Sequence, residues 1–454
     1  MTDRTSAKDV RIATDTVMDG DIDEAELARM GYKQELNVIT GVSSLFAYGL
    51  NTGGPAVMVW GWIVVACFTM CVGLAMAEVC SAHPTSGGPY FWAAMLCKPE
   101  DAAFASWITG WFNLLGQVAV TTGISFACAT FISTLATFDT TFGLINTFGV
   151  HLLRYLNNIS VWWHAIGTVA LIIAVLAAAP SHQSAHFVFQ TFVDGTGIDG
   201  PGWSQRASPA YVVIVGILMA QYTLTGILPT YCIARATNMT EETHNAAMSG
   251  PIGIVMAIGV SAVLGWFLIL GLLFSIQDLT NTVGSATGEP VAQIFLDTVG
   301  EKGAIVLMVI VIGSMFWCGT FSITSNSRMM YAFARDGGIP GHTFFHKVDV
   351  KRKSPIRTVW LALGSSVAFS AATSIATIGL YISYGIPIAL RVIYAHASSA
   401  GQPRDSQTLN YAIVAVGIVV TYSLAEATGV DVMDPAIAAT VVEPEKGSDG
   451  KGSI

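Results

Sequence analysis

Two short runs, Thr40-Gly41-Val42-Ser43 and Thr223-Leu224-Thr225-Gly226, set glycine and hydroxyl side chains inside stretches that are otherwise apolar. The chemistry they could do is not covalent. A helix in lipid uses all its backbone N–H and C=O groups internally, so a break at such a run frees those groups to hold a polar solute. A half-helix N-terminus adds a partial positive charge that suits a carboxylate. The same residue types have a second use, because glycine and small hydroxyl side chains let membrane helices approach closely. Pairing favours the break: the runs lie in the first and sixth apolar spans, and two interrupted segments five spans apart are the sign of inverted five-helix repeats.

Few other polar side chains fall at membrane depth: Asn113, Gln117, His164, Gln221 and Asn326. Asn113 and Gln117 stand one turn apart and share a helix face, where they either bond between helices or line a path. Gln117, Asn326 and Glu78, the last at the end of the second span, are the candidates for gating or coupling. Glu78 equally suits a plain interfacial charge. His164 follows Trp162-Trp163, which reads as an aromatic belt at a membrane interface. No span carries paired carboxylates or a His–Asp cluster, which argues against an embedded transferase. His83, His244, His342 and His346 are scattered over loops. The seven cysteines sit in or beside apolar runs and read as packing residues. No metal and no cofactor is expected.

The elements that must position these residues are membrane helices. Of 454 residues, 53% are hydrophobic and 11% charged, against about 25% charged in soluble domains. Residues 38–77, 102–137, 155–193, 207–234, 243–277, 303–327, 358–390 and 406–425 contain no Asp, Glu, Lys or Arg. The pattern predicts an all-α polytopic membrane protein with eleven spans: 38–50, 55–77, 104–134, 142–153, 159–179, 209–228, 251–276, 303–327, 357–373, 375–394 and 411–427. The first and fourth are too short to cross, since a helix needs roughly 20 residues. Lys98, Arg154, Arg235, the cluster from Arg335 to Arg357, Arg391 and Arg404 fall on alternate loops, against Arg206 and Lys302 opposite. That bias predicts a cytosolic N-terminus and leaves the sequons at Asn158 and Asn238 on the unglycosylated side. Residues 1–36, with Asp19, Asp21, Asp23, Glu24 and Glu26, predict a disordered cytosolic tail without a signal peptide, and 429–454 a second tail. The net charge of −9 sits mostly in these tails, and no basic, aromatic-interleaved face exists for nucleic acid.

Three segments carry a family likeness. "AEVCSAHPTSGGPYFWA" (77–93), "TSNSRMMYAFARDGGIPG" (324–341) and "GLYISYGIPIALRV" (379–392) resemble the amino-acid/polyamine/organocation permeases, and most closely the GABA, amino-acid and choline permeases of yeasts and moulds. The resemblance implies a transmembrane permease domain over 37–428 with about 11–12 helices, the first ten in two inverted repeats. It implies secondary transport of a small amino acid or amine, driven by protons, in a plasma or vacuolar membrane. Thr40, Gly41, Val42 and Ser43 match the unwound part of helix one; Thr223, Thr225 and Gly226 match the approach to that of helix six. The chain also departs from the family. The cytosolic half of helix one is missing before Val38, as are the first part of helix four before Gly143, part of helix nine near Leu363 and all of helix eleven. "ILPTYCIARATNM" replaces the family's continuation after Gly226. These departures support an alternative, a non-transporting sensor or a truncated, inactive permease isoform.

Overall fold

In a computed structural model of the chain, the described residues are 38–83, 88–132, 135–197, 201–206, 208–228, 246–285, 289–349, 355–368, 380 and 382–390. The expected tails, the span 411–427 and the segment replaced after Leu228 lie outside them. Among the described residues the architecture is helical, with an isolated bridge between Thr52 and Asp194. We label the main helices α1 (Val38–Asn51), α2 (Gly54–Ala82), α3 (Ala102–Ile132), α4 (Leu135–Phe148), α5 (Val150–Ala178), α6 (Pro209–Gly216), α7 (Leu218–Leu228), α8 (Ala246–Phe274), α9 (Pro290–Arg335) and α10 (Ile356–Ala368). Among the described residues four helical stretches are long and apolar enough to cross a bilayer: Gly54–Ala82, Tyr155–Ala178, Gly250–Phe274 and Pro290–Arg335. The protein is a multi-pass integral membrane protein.

Local chemistry sets the helix ends. Gly53 and Gly54 turn the chain between α1 and α2 at φ +93° and +69°, a region that favours glycine, and Pro55 then supplies a preset φ at the start of α2. Ser208 caps α6 by accepting from the Tyr211 N–H, with Pro209 following. α6 and α7 are nearly one helix, because Ile217 between them keeps right-handed helical dihedrals.

Helix faces are inverted relative to a soluble protein. On α5, Ile159, Trp162, Ile166, Val169 and Ile173 are exposed, while Asn157, Ser160, His164 and Thr168 are buried. Both sets recur at three- and four-residue intervals, so one stripe suits lipid and the other the bundle interior. Glycines provide the close crossings: Gly73 of α2 lies against Ile258 of α8, Gly265 of α8 against Trp62, and Gly313 of α9 against Trp163. The two indoles donate to main-chain carbonyls at these crossings, Trp62 to Ala262 at 2.8 Å and Trp163 to Ile310 at 3.0 Å.

Several expectations need correction. Thr40, Gly41, Val42 and Ser43 lie inside the regular helix α1, not in an unwound stretch. Thr223, Thr225 and Gly226 likewise lie within α7. The half-length span 142–153 does not exist as such. Its residues divide at Gly149 between α4, which begins at Leu135 and so extends ahead of Gly143, and α5. The span 303–327 belongs to a 46-residue helix kinked at Gly300, φ +71°. His164 is not a belt residue; it is fully buried in the middle of α5.

Opposite the Arg335 end, the segment after α5 folds back over the α1–α2 turn. Gly53 N–H donates to Val193 O at 2.8 Å and Gly195 N–H to Asn51 O at 2.8 Å. Asp194 organises this clamp. One carboxylate oxygen accepts from Thr196 N (3.2 Å) and Oγ1 (2.5 Å), the other from Ser204 N (2.8 Å) and Oγ. Partial burial by itself would raise the Asp194 pKa, but the hydrogen bonds from Ser204 and Thr196 outweigh it and hold the group below the ordinary carboxylate range. A depressed folded-state pKa contributes stability above the unfolded value, and that contribution is lost as pH falls through the folded value. The clamp should therefore hold at neutral pH and open in acid below the ordinary aspartate range. Asp194→Asn puts an NH2 against two donors, so limited proteolysis of 195–206 should be faster in the variant at neutral pH. Equal cleavage rates would refute the clamp.

Candidate functional site

The runs that begin at Thr40 and Thr223 meet. A Cβ built on Gly41 would stand 2.6 Å from Thr223 Cγ2, 2.8 Å from its Oγ1 and 2.9 Å from its Cβ, so α1 and α7 touch where glycine leaves room. The Thr223 hydroxyl donates to Met219 O at 2.8 Å, a bond within its own helix. Thr225 and Gly226 follow on the same helix. Gly41 is eleven residues before Thr52 at the turn, which puts it about 16 Å below that surface, half of a hydrocarbon core of roughly 30 Å.

Around this junction α1 is buried on every side that bears a named candidate: Thr40, Gly41, Val42 and Ser43 are all buried. Among the described residues the Thr40 hydroxyl has no hydrogen-bond partner. A Cβ on Gly167 of α5 would lie 2.7 Å from Ile310 of α9 and 3.6 Å from Ile39 of α1, so these three helices converge one residue from Thr40. Val38 reaches Gly265 of α8.

A second polar zone lies further along α9. α3 and α9 run antiparallel, with Gly110 against Phe333 and Thr121 Oγ1 2.6 Å from Ser322 Oγ. Gly110 and Thr121 are eleven residues apart, as are Phe333 and Ser322, so the same register sets Gln117 opposite Asn326. Both are fully buried, and among the described residues neither amide's oxygen or nitrogen has a hydrogen-bond partner. The Asn113 oxygen, one turn away, is also unpartnered. Asn146 of α4 is the opposite case. Its Nδ2 donates to Thr320 O at 2.9 Å and its Oδ1 accepts from Thr324 Oγ1 at 2.5 Å. Asn326 is twelve residues beyond Ser314, so this zone stands about 18 Å from the α5–α9 contact, toward the Arg335 end.

Glu78 is in neither zone. It is half-buried near the end of α2, about 20 Å beyond the level of Gly41 by helix rise. Gly88 and the segment that follows it dock instead on the end of α9: Tyr90 OH donates to Asp336 at 2.8 Å and the Tyr90 ring lies 5.3 Å from that of Phe333. Gly88 and Gly337 hold positive φ, 59° and 80°, at this contact. Two segments that carried the family likeness, far apart in sequence, are thus joined in space.

The sequence reading missed the polar stripe of α5 (Asn157, Ser160, Thr168) and the Asn146–Thr324 bridge. The stripe had a signal, polar residues recurring at helical intervals opposite an apolar set. The Asn146 bridge had none, because it depends on the packing of α4 against α9. Among the described residues no group of His, Cys, Asp and Glu could hold a metal.

Comparison with known proteins agrees with an assembly that binds and moves a solute without covalent chemistry. Residues 36–428 match the family model described as amino acid permease. The chain is 40% identical to the rice amino-acid permease BAT1 homolog, over 83% of this chain and 81% of that protein. It is 37% identical to amino-acid permease BAT1 of Arabidopsis thaliana, over 83% and 82%. An uncharacterised amino-acid permease of Schizosaccharomyces pombe is 29% identical over 78% and 68%. The rice alignment runs over 438 positions, more than 83% of 454 residues can fill, so it passes through gaps in this chain. The chain belongs to the amino acid permease family: it is a secondary transporter and not an enzyme.

Proposed function

We propose that the chain moves a small amino acid or related amine, GABA among the candidates, with a proton as coupling ion, in a plasma or vacuolar membrane with its N-terminus in the cytosol. The substrate sits at the α1–α7 junction formed by Thr40, Gly41, Val42, Ser43 and Thr223, with Thr225 and Gly226 further along α7. The observation that carries this reading is the Gly41–Thr223 contact, which joins the first and sixth spans near mid-membrane, as two inverted five-helix repeats require. Gln117 and Asn326 act as an inner gate on the way to the Arg335 end. Their unpartnered amides are suited to hydrogen-bond a passing zwitterion. Glu78, about 20 Å from the junction, serves gating at the far end of α2 and not binding.

The test is uptake of labelled GABA, alanine, glutamate and lysine in permease-deficient cells, with the rice relative as reference. Uptake of one of these above the empty-vector level is expected. The gaps in the alignment favour one alternative, a sensor that binds without transport. Ligand-dependent thermal stabilisation with no uptake would select the sensor; uptake would dismiss it.

A further inference from the structure

We propose that His164 carries the coupled proton, an inference that rests on the proton-coupled reading above. His164 is the middle residue of α5, fully buried, on the stripe that also holds Asn157, Ser160 and Thr168. Its Nδ1 lies 2.8 Å from the Ser160 carbonyl. A carbonyl only accepts, so Nδ1 carries hydrogen and Nε2 of the neutral ring is a free base. Among the described residues Nε2 has no hydrogen-bond partner. An imidazole that served packing alone would leave this buried acceptor unsatisfied for no return. The Ser314 backbone of α9 lies beside the ring.

The surroundings leave few other groups for this task. α1 contains no Asp, Glu, Lys, Arg or His, and its one phenol is Tyr48. α8 contains none of these either, and the 303–327 stretch of α9 has only Cys318 as a titratable side chain. Glu301 and Lys302 precede Ser314 by more than three turns, and Arg328 follows it by nearly four. On α5 itself His151, Arg154 and Tyr155 stand nine or more residues away. On α4 the acidic residue is Asp139, one turn before Phe142, which packs on Gly319 of α9; Asp139 is the rival carrier that the test must separate.

His164 is also joined to the substrate junction. Gly167, one turn on, contacts Ile310 and Ile39, and Ile39 leads into Thr40-Gly41. The step is a proton transfer: water on one side gives a proton to Nε2, and the imidazolium returns it to water on the other side after the bundle reopens. A cation there favours a carboxylate at the junction, and by linkage the bound carboxylate favours the cation.

The test uses the whole chain in proteoliposomes, neutral inside and about pH 5 outside. The probes are 14C-labelled GABA, alanine, glutamate and lysine, assayed singly. His164→Asn keeps a donor for Ser160 O and removes Nε2; His164→Gln serves if that variant fails to reach the membrane. Acid-driven accumulation should fall by about tenfold or more, within the range of site coupling. Exchange at equal pH, which needs no net proton movement, should survive, and Asp139→Asn should keep both. Full acid-driven accumulation in H164N, or its loss in D139N alone, would overturn the assignment. Wild-type uptake indifferent to the gradient would overturn proton coupling, and His164 with it. Movement of none of the probes would overturn the transport reading itself.

Discussion

Gly41→Ala should lower substrate uptake by about tenfold or more while the protein still reaches the membrane. The added methyl would lie 2.6 to 2.9 Å from three atoms of Thr223, closer than real carbon contacts. Either α1 or α7 must move. Overpacking of this kind costs about 1–3 kcal/mol, and here the displacement falls on the two helices proposed to hold the solute. Gly73→Ala is the control. Its methyl would meet only the end of Ile258 closely, 1.9 Å from Cδ1, and a flexible side-chain tip can turn aside. Uptake measured at equal surface expression should therefore fall far more in G41A than in G73A. Equal effects would mean that Gly41 matters for packing alone.

The second large effect concerns Gln117 and Asn326. A buried amide without partners costs stability, about 1–3 kcal/mol each, and a leucine, which keeps the branched shape of asparagine, has no such penalty. Q117L and N326L should accordingly unfold at higher temperature than wild type and transport at least about tenfold more slowly, a trade of activity against stability. Asn146→Leu should behave differently, because it breaks the bonds to Thr320 and Thr324. It should lose about 1–3 kcal/mol. Thermal unfolding of the three purified variants beside their uptake distinguishes the roles. If Q117L and N326L are destabilised like N146L, both amides are structural cross-links.

These effects show what could be read in the sequence. Charge-free runs foretell the helices because lipid tolerates few charges, and the runs at Gly41 and Thr223, in the first and sixth spans, lie in contact. The nature of the pairing was not legible. A glycine among hydroxyls has the same signature in a broken helix as in a close crossing, and around Gly41 the structure has the crossing. Segment 142–153 was misjudged for a related reason: Gly149 ends one helix and begins the next without a charge or proline to mark it. His164 followed two tryptophans that suggested an interface, yet its own spacing with Ser160 and Thr168 pointed inward. Gln117 could be recognised as buried, but its level against Asn326 depends on the α3–α9 register, which no local pattern contains.

The claim on which the account turns is that the α1–α7 contact forms the transport site. The direct measurement is a double-mutant cycle on uptake with Gly41→Ala, Thr223→Gly and the pair. Thr223→Gly removes the three nearest atoms facing position 41, at a helix cost of about 1 kcal/mol. The account predicts that the double variant transports several-fold faster than G41A. A double variant as slow as G41A, or slower by the product of the single losses, would contradict it.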